Sequence, residues 1–445
     1  MKRRKGSLRL PAMARMALVA GSIAVGAVAE PVVAQISFER EPINYASGAV
    51  NGPVAKLQKQ IDDGEVELKF DEQHGYLKSV LDAFNVSTTS QMLVFSKTSL
   101  QLRRISPWSP RALYFNDDTY VGWVPNGDMI EVSSIDPQQG AIFYTLLQEE
   151  TERPTFVRDR GNCLTCHASS RTQGVPGQLV RSVYTSASGQ PHFGAGTFRT
   201  NHASPLKQRW GGWYVTGTHG GQRHMGNVIS GERTRPESLD FEAGANVTDL
   251  SELTRTDLYL SSHSDIVALL VLEHQADMHN FITHANYETR LALHYGTVMN
   301  RAFERPDGFI GESAQRRIST ASEKLLKYML FAEETLLTHK IEGTSDFANK
   351  FAAVGPHDTQ GRSLREFDLQ RRIFKYPCSY LIYSDAFRAL PPQVKDQAYR
   401  RLWEILTGQD QSETYAHLSP VDRQAIYEIL RDTNSDLPEY WKTAE

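Results

Sequence analysis

The hydrophobic and polar positions after residue 36 form three successive patterns. Residues 36–155 combine one short amphipathic stretch with strand-length apolar runs, which predicts a mixed α/β region. The turn Asn116-Asp117-Asp118 between two aromatic runs is typical of a β-hairpin. The predicted elements are a helix over residues 54–61 and strands over residues 112–115, 120–124 and 141–147.

The second and third patterns cover the rest of the chain. Residues 156–235 are rich in Gly, Thr, Arg and aromatic residues, with short strands predicted over 179–185 and 212–216. Residues 236–445 show helical periodicity, and Ser419-Pro420 predicts the start of a final helix. The periodic positions are Leu325, Met329, Ala332 and Leu336, and then Val394, Ala398, Leu402 and Ile405. The predicted class is α+β: a mixed α/β N-terminal region, a loop- and strand-rich segment and a mostly helical C-terminal half.

The first 34 residues have the pattern of a secretory signal peptide. Basic residues 2–5 precede an apolar run over residues 16–29, and small residues follow up to Ala34. The run is about fourteen residues long, well short of the roughly twenty needed to span a bilayer, and no later stretch has transmembrane character. We therefore expect residues 1–34 to be cleaved and the protein to be periplasmic.

Removal of this peptide makes the chain more acidic. The full sequence has 48 Lys and Arg against 52 Asp and Glu, and without residues 1–34 these become 42 and 51. A net charge of about −9 disfavours nucleic-acid binding and favours basic partner proteins, a class that includes basic redox proteins.

Only three cysteines occur, too few for a disulfide-stapled secreted scaffold. Two of them lie in Cys163-Leu164-Thr165-Cys166-His167, which matches the Cys-x-x-Cys-His signature of haem attachment. Residues three and four apart on a helical turn face the same way, so both thiols and the imidazole can address one side of a flat ligand. The third, Cys378, lies in an apolar stretch and is predicted to be an inert buried thiol.

At this motif the chain resembles the c-type cytochromes. The resemblance covers residues 162–167 and implies one covalent haem c on Cys163 and Cys166, with His167 as the proximal iron ligand. Asn162 is predicted to cap the turn. No Gly-x-x-Leu-Phe helix precedes the motif and Ala168 stands where Gly is usual, so the small three-helix cytochrome fold is not expected. Residues 156–235 then form the haem-binding segment.

Three other interpretations of the cysteine pair remain. A thioredoxin-type dithiol expects a βαβ setting and nearby aromatic or Pro residues, which residues 160–162 lack. A zinc site would combine Cys163 and Cys166 with His219 and His224, although 52 residues separate Cys166 from His219, where a zinc finger has about a dozen. A disulfide between the pair would close too small a loop to stabilise the fold much.

The function depends on the sixth ligand position of the iron: a side chain bound there would favour electron transfer, and an open position would allow chemistry at the iron. Met225 and His224 are the candidate distal ligands, with His219 close by in a glycine-rich stretch. Trp210, Trp213 and Tyr214 are candidate pocket walls, and Arg209 and Arg223 are candidate partners of the haem propionates. A second source is a predicted helix over residues 264–299, which carries His274 and Met278 on its apolar face.

The sequence thus predicts an exported c-type cytochrome that transfers electrons in the periplasm to a redox partner. The alternative is a haem-dependent oxidoreductase of peroxidase or oxygenase type with an open iron, because the chain greatly exceeds the shell that one haem needs. Against a two-haem peroxidase, the sequence holds no second Cys-x-x-Cys-His. A haem-based sensor is the third possibility.

Overall fold

The computed structural model describes residues 38–231 and 238–442. The predicted signal peptide, residues 1–34, lies outside them, as do the boundary at residues 235 and 236 and the last three residues. The predicted α+β class is confirmed: an antiparallel sheet with short helices comes first, and a mostly helical half follows. No described helix is long and apolar enough to cross a membrane.

The N-terminal region is built on a six-stranded antiparallel sheet whose strands follow one another in chain order. Its strands are β1 (Met92–Val94), β2 (Arg111–Phe115), β3 (Thr119–Trp123), β4 (Met129–Asp136), β5 (Gly140–Leu147) and β6 (Val157–Arg158). The predicted hairpin is confirmed, because the Asn116 side chain accepts the N–H of Thr119 and closes the turn between β2 and β3. Strand β4 is not among the predicted elements, because its buried Ser133 and Ser134 are polar and interrupt the apolar pattern.

The two faces of the sheet pack against different layers. Tyr114, Val121 and Val132 lie side by side on one face and join the core of the N-terminal helices α1 (Pro53–Asp62) and α2 (Leu77–Ala83). Phe115, Tyr120 and Phe143 lie on the other face and pack with the helical half. The sheet is therefore buried on both sides.

The central segment is held together by loops and one short ribbon. Strand β7 (Arg181–Val183) pairs with β8 (Thr197–Arg199), and residues 209–213 run alongside β7. The strand predicted over residues 212–216 is wrong. Trp210 and Gly212 have φ values of 67° and 84°, which break an extended run, and only Gly217–Thr218 (β9) forms a strand, paired with Glu342–Gly343 (β10).

The C-terminal half is organised around one long helix, α4, which runs from Ile266 to Ala302 and buries most of its side chains on every face. Asp265 caps it by accepting the N–H of Val267 at 2.7 Å. The other helices are α3 (Leu164–His167), α5 (Glu312–Met329), α6 (Phe347–Ala353), α7 (Asp385–Arg388), α8 (Pro392–Leu406) and α9 (Pro420–Thr433). The predicted start of α9 is confirmed, since Ser419 and Asp422 form a capping box around Pro420.

The periodicity predicted across residues 325–336 ends early. Helix α5 stops at Met329, so Ala332 and Leu336 lie beyond it. Phe331 and Glu333 have φ values of 58° and 69°, and left-handed residues cannot continue a right-handed helix. The periodicity over residues 394–405 is confirmed by α8.

A buried ion pair joins the central segment to α4. Arg209 Nη1 donates to Glu273 Oε2 at 2.9 Å, and the two side chains are 2% and 0% exposed. The guanidinium also donates to the carbonyls of His202 and Ser204. Burial raises the pKa of Glu273, and the charge of Arg209 opposes that rise. If either side chain were removed, the charge of the other would stay buried without water or an ionic partner.

We expect Arg209→Met to lower the free energy of unfolding by about 3–5 kcal/mol, because the Glu273 carboxylate would stay buried alone. This loss of unfolding free energy should become smaller as pH falls. Burial raises the pKa of the lone Glu273 carboxyl above its value in the unfolded chain, so the folded protein takes up a proton first and no longer buries a charge. Urea unfolding at several pH values measures this. Arg255→Met, which removes an exposed pair with Asp257, is the control and should change little. Equal losses in both variants would contradict the assignment.

Candidate haem-attachment site

The motif forms a single helical turn, α3, that follows strand β6. The carbonyl of Cys163 accepts the N–H of Cys166 at 3.2 Å and that of His167 at 3.0 Å. The two thiols and the imidazole therefore belong to one turn, as their spacing predicts. Cys163 is half-buried, Cys166 is exposed, and neither is in a disulfide. Cys378 is free and buried, as predicted, and burial raises the pKa of its thiol to about 12.

The predicted cap is wrong: Cys163 occupies the N-cap position without a side-chain cap, and Asp159, not Asn162, holds the start of the turn. The Asp159 carboxylate accepts the N–H groups of Gly161 at 2.9 Å and Cys163 at 3.0 Å. The Asn162 side chain points back and donates to the same carboxylate at 3.0 Å. Partial burial raises the pKa of Asp159, but these hydrogen bonds outweigh it and hold that pKa below its ordinary value. An ionised carboxylate therefore anchors the start of the turn.

His167 is fixed by a reciprocal pair of hydrogen bonds with Gly177. The N–H of Gly177 donates to the His167 carbonyl at 2.8 Å, and His167 Nδ1 lies 2.9 Å from the Gly177 carbonyl. A carbonyl only accepts, so Nδ1 carries the proton and Nε2 keeps its lone pair. Burial lowers the pKa of His167 and thus favours the neutral ring. An imidazole with this tautomer presents Nε2 as a metal ligand.

Asn280, in the middle of α4, fixes the position of Gly177. Its side-chain oxygen accepts the N–H of Gln178 at 2.8 Å, and its amide nitrogen donates to the Gln178 carbonyl at 2.8 Å. A Cβ on Gly177 would lie 2.1 Å from the Asn280 side-chain oxygen, so this position excludes any larger residue. The loop that orients His167 is therefore attached to α4, the longest helix among the described residues. Neither residue carries a sequence signal that marks it as part of the site.

Two charged residues of the sheet flank the turn. Arg111 Nη1 and Glu131 Oε2 are 2.7 Å apart, and both side chains are mostly buried. Burial and then the charges of Asp159 and Glu131 raise the pKa of Cys163 to about 12. Arg111 Nε and Glu131 Oε1 are buried and have no hydrogen-bond partner within residues 38–231 and 238–442. The ion pair thus leaves one donor and one acceptor unsatisfied in the described structure.

The candidate distal ligands occupy a separate cluster. The rings of His219 and His224 are 4.6 Å apart, and Trp210 packs on His224 at 5.1 Å. Met225 Sδ accepts a hydrogen bond from Ser182 on β7 at 3.6 Å. Among the described residues, no hydrogen bond or ring contact joins this cluster to the Cys163–His167 turn. The sixth ligand, Met225 or His224, stays a prediction.

The second proposed source of a ligand is occupied by other contacts. His274 Nδ1 lies 2.9 Å from His202 Nδ1, and its Nε2 lies 2.8 Å from Ser379 Oγ. Both ring nitrogens are therefore engaged inside the core, beside the fully buried Met278. The predicted propionate partners are also engaged, since Arg209 pairs with Glu273 and Arg223 pairs with Glu242.

The donor set suits haem c better than the competing groups. Two unpaired thiols share a turn with an imidazole whose Nδ1 is already used, which matches two thioether bonds and one axial ligand. A zinc site would need Cys163, Cys166, His219 and His224 together, and within the described ranges no three His, Cys, Asp or Glu residues are arranged to hold a metal ion. The raised pKa of Cys163 disfavours a reactive dithiol, whose attacking cysteine needs a low pKa.

We expect Gly177→Ala to release His167 from its fixed tautomer. The new Cβ would collide with the Asn280 oxygen and push the Gly177 carbonyl away from Nδ1. Long-range ¹H–¹⁵N spectra of the haem-free chain should show protonated Nδ1 in the parent and a mixture of tautomers in the variant. Gly194→Ala is the matched control, because nothing lies within 4 Å of a Cβ there. An unchanged His167 spectrum in Gly177→Ala would contradict this role.

Alkylation of the haem-free chain should distinguish the three thiols. With a pKa of about 12, only roughly 10⁻⁴ of Cys163 is thiolate at about pH 8, and Cys378 is buried as well. Iodoacetamide should therefore modify exposed Cys166 first, as peptide mass spectrometry would show. Faster labelling of Cys163 than of Cys166 would indicate an activated thiolate and favour the dithiol or zinc interpretation.

Known proteins offer no guide to this site. No family model, no curated protein and no solved structure matches the chain. The c-type cytochrome assignment therefore depends on the motif and on the contacts that orient Cys163, Cys166 and His167.

Proposed function

We propose that the chain is an exported c-type cytochrome that carries one haem, attached through Cys163 and Cys166, and that transfers electrons in the periplasm. The observation that carries the proposal is the Nδ1 contact of His167 with the Gly177 carbonyl, on the same turn as two free thiols. That contact leaves the Nε2 lone pair free, so His167 would be the residue that holds the haem iron. When bound, haem supplies a one-electron redox centre at its iron.

The turn holds its reacting groups in place before the haem arrives. Asp159 fixes the first backbone N–H of the motif, and with it the position of Cys163. Cys166 is exposed and accessible to the enzymes that attach haem outside the cytoplasmic membrane. Because the turn is already formed, little conformational entropy is lost on attachment.

The groups around His167 also support its proposed role as an iron ligand. Phe143 on β5 packs against the imidazole, with the two ring centroids 4.9 Å apart. The Gly177 carbonyl makes the ring a stronger electron donor by accepting a hydrogen bond from its Nδ1–H group. The free donor Arg111 Nε suits a haem carboxylate, a role that the sequence assigned to Arg209 and Arg223. Met225 or His224 remains the proposed sixth ligand, which would close the iron and favour electron transfer over the oxidoreductase alternative.

The test uses cysteine variants expressed with a haem-maturation system. Cys163→Ser and Cys166→Ser should each retain at most one thioether, and the double variant should lose all haem staining on a denaturing gel. Cys378→Ala is the matched control and should stain like the parent, because that thiol is buried outside the motif. Staining that survives the double substitution would contradict the proposal.

The same preparation tests the sixth position. A closed iron predicts that carbon monoxide leaves the spectrum of the reduced protein unchanged, and that Met225→Leu or His224→Ala opens it. A rapid spectral change in the parent protein would reject electron carriage in favour of an open haem.

A further inference from the structure

Positive charge is concentrated around the proposed haem turn. Residues 153–231 contain nine Lys and Arg but only one acidic residue, Asp159, whereas the whole sequence has more acidic than basic residues. The basic residues are Arg153, Arg158, Arg160, Arg171, Arg181, Arg199, Lys207, Arg209 and Arg223. The segment therefore has a charge opposite to that of the protein as a whole.

Three carboxylates around the turn are held by hydrogen bonds or ion pairs. Asp159 accepts three N–H groups at the start of the turn. Glu131 pairs with Arg111, and Asp277 of α4 pairs with Arg199 at 2.7 Å and is only 6% exposed. Asp159 remains ionised, whereas Glu131 and Asp277 are compensated by their arginine partners.

Several arginines near the turn, in contrast, have no carboxylate partner. Arg160 and Arg171 are exposed and form no ion pair with any described residue. Arg181 donates to Thr197 at 2.9 Å, and its guanidinium lies 4.7 Å above the ring of Phe193, which is 52% exposed. Burial and then the positive charge of Arg171 lower the pKa of Arg181, while Cys166 acts on it in the opposite sense. Arg199 pairs with Arg181 across the β7–β8 ribbon and donates to the Arg171 carbonyl at 2.8 Å. Arg171 and Arg181 therefore lie on neighbouring segments, and neither forms an ion pair with a described residue.

We propose that the surface formed by Arg160, Arg171, Arg181 and Phe193 around Cys166 is the docking face for a redox partner protein with a carboxylate-rich surface. This inference rests on the proposed haem attachment, since it places the docking face at the haem edge. Carboxylates would pair with the guanidiniums, and exposed Phe193 would supply an apolar contact at the centre.

Local charge outweighs net charge at such a face. Interactions between exposed charges are screened beyond about 8–10 Å at physiological salt, so the acidic residues elsewhere on the molecule contribute little to docking. The expectation of a basic partner, drawn from the net charge, therefore gives way to an acidic one.

The experiment compares two charge-reversal variants of the holoprotein. Arg160→Glu with Arg171→Glu removes the basic face, and Arg316→Glu with Arg400→Glu makes the same change in net charge at exposed positions on α5 and α8. The first readout is binding of poly-L-glutamate, measured by calorimetry at low and high salt. The second is oxidation of the reduced protein by anionic ferricyanide and by cationic tris(phenanthroline)cobalt(III).

The parent and the control pair should bind poly-L-glutamate in a salt-sensitive way, and the first variant should lose at least about tenfold in affinity. Ferricyanide should react more slowly with the first variant than with the control, and the cobalt reagent should react faster. Equal effects of the two double variants would overturn the docking face. So would binding that is stronger to anionic phospholipid vesicles than to poly-L-glutamate, because the face would then recognise lipid.

Failure of the proposed function gives a different result. If the chain carries no covalent haem, neither reagent reports on the protein, yet poly-L-glutamate binding still shows whether the basic face exists. A stained haem together with a preference for poly-L-lysine would leave the cytochrome proposal standing and reject only the acidic partner.

Discussion

The side-chain amide of Asn280 pairs with both backbone groups of Gln178, and through this contact the core controls the candidate haem turn. Helix α4 is buried along most of its length and cannot move without disturbing the sheet and the helical layer that it separates. The Gly177 carbonyl is therefore held in place, and it fixes the His167 ring through its 2.9 Å contact with Nδ1. The proposed iron ligand is thus oriented by a helix that lies more than a hundred residues away in sequence.

Burial and charge divide the molecule into a rigid core and a reactive edge. Inside, Arg209 and Glu273 neutralise each other and connect the central segment to α4. At the edge, Cys166 is exposed beside arginines that have no carboxylate partner. The proposed electron transfer would suit this arrangement, because a fixed iron ligand would keep reorganisation small and an exposed, charged edge would select the partner.

Local features could be predicted from the sequence, and contacts between distant segments could not. The α9 start at Ser419-Pro420 and the hairpin at Asn116 follow from side chains that bond within three residues. The Cys163–His167 turn is local too, which is why its spacing alone predicted it. The supposed strand over residues 212–216 failed because Gly212 turns to pack against Ser96, a contact that spans more than a hundred residues.

The same limit applies to the site. Asp159 lies four residues from Cys163, yet Asn162 is nearer and is an equally good capping residue by type, so the choice between them needs the backbone path. Arg209 looked available to a haem carboxylate because its partner Glu273 is 64 positions away. Gly177 and Asn280 belong to no sequence motif, and they come into contact only when the chain folds.

The central claim, that haem is covalently bound to the Cys163–His167 turn, is tested most directly on one peptide. Trypsin cleavage after Arg160 and Arg171 releases residues 161–171, which contain both motif cysteines and His167. In protein made with a haem-maturation system, mass spectrometry should find this peptide only with the added mass of one haem. Recovery of the bare peptide, or of one with a Cys163–Cys166 disulfide, would contradict the account.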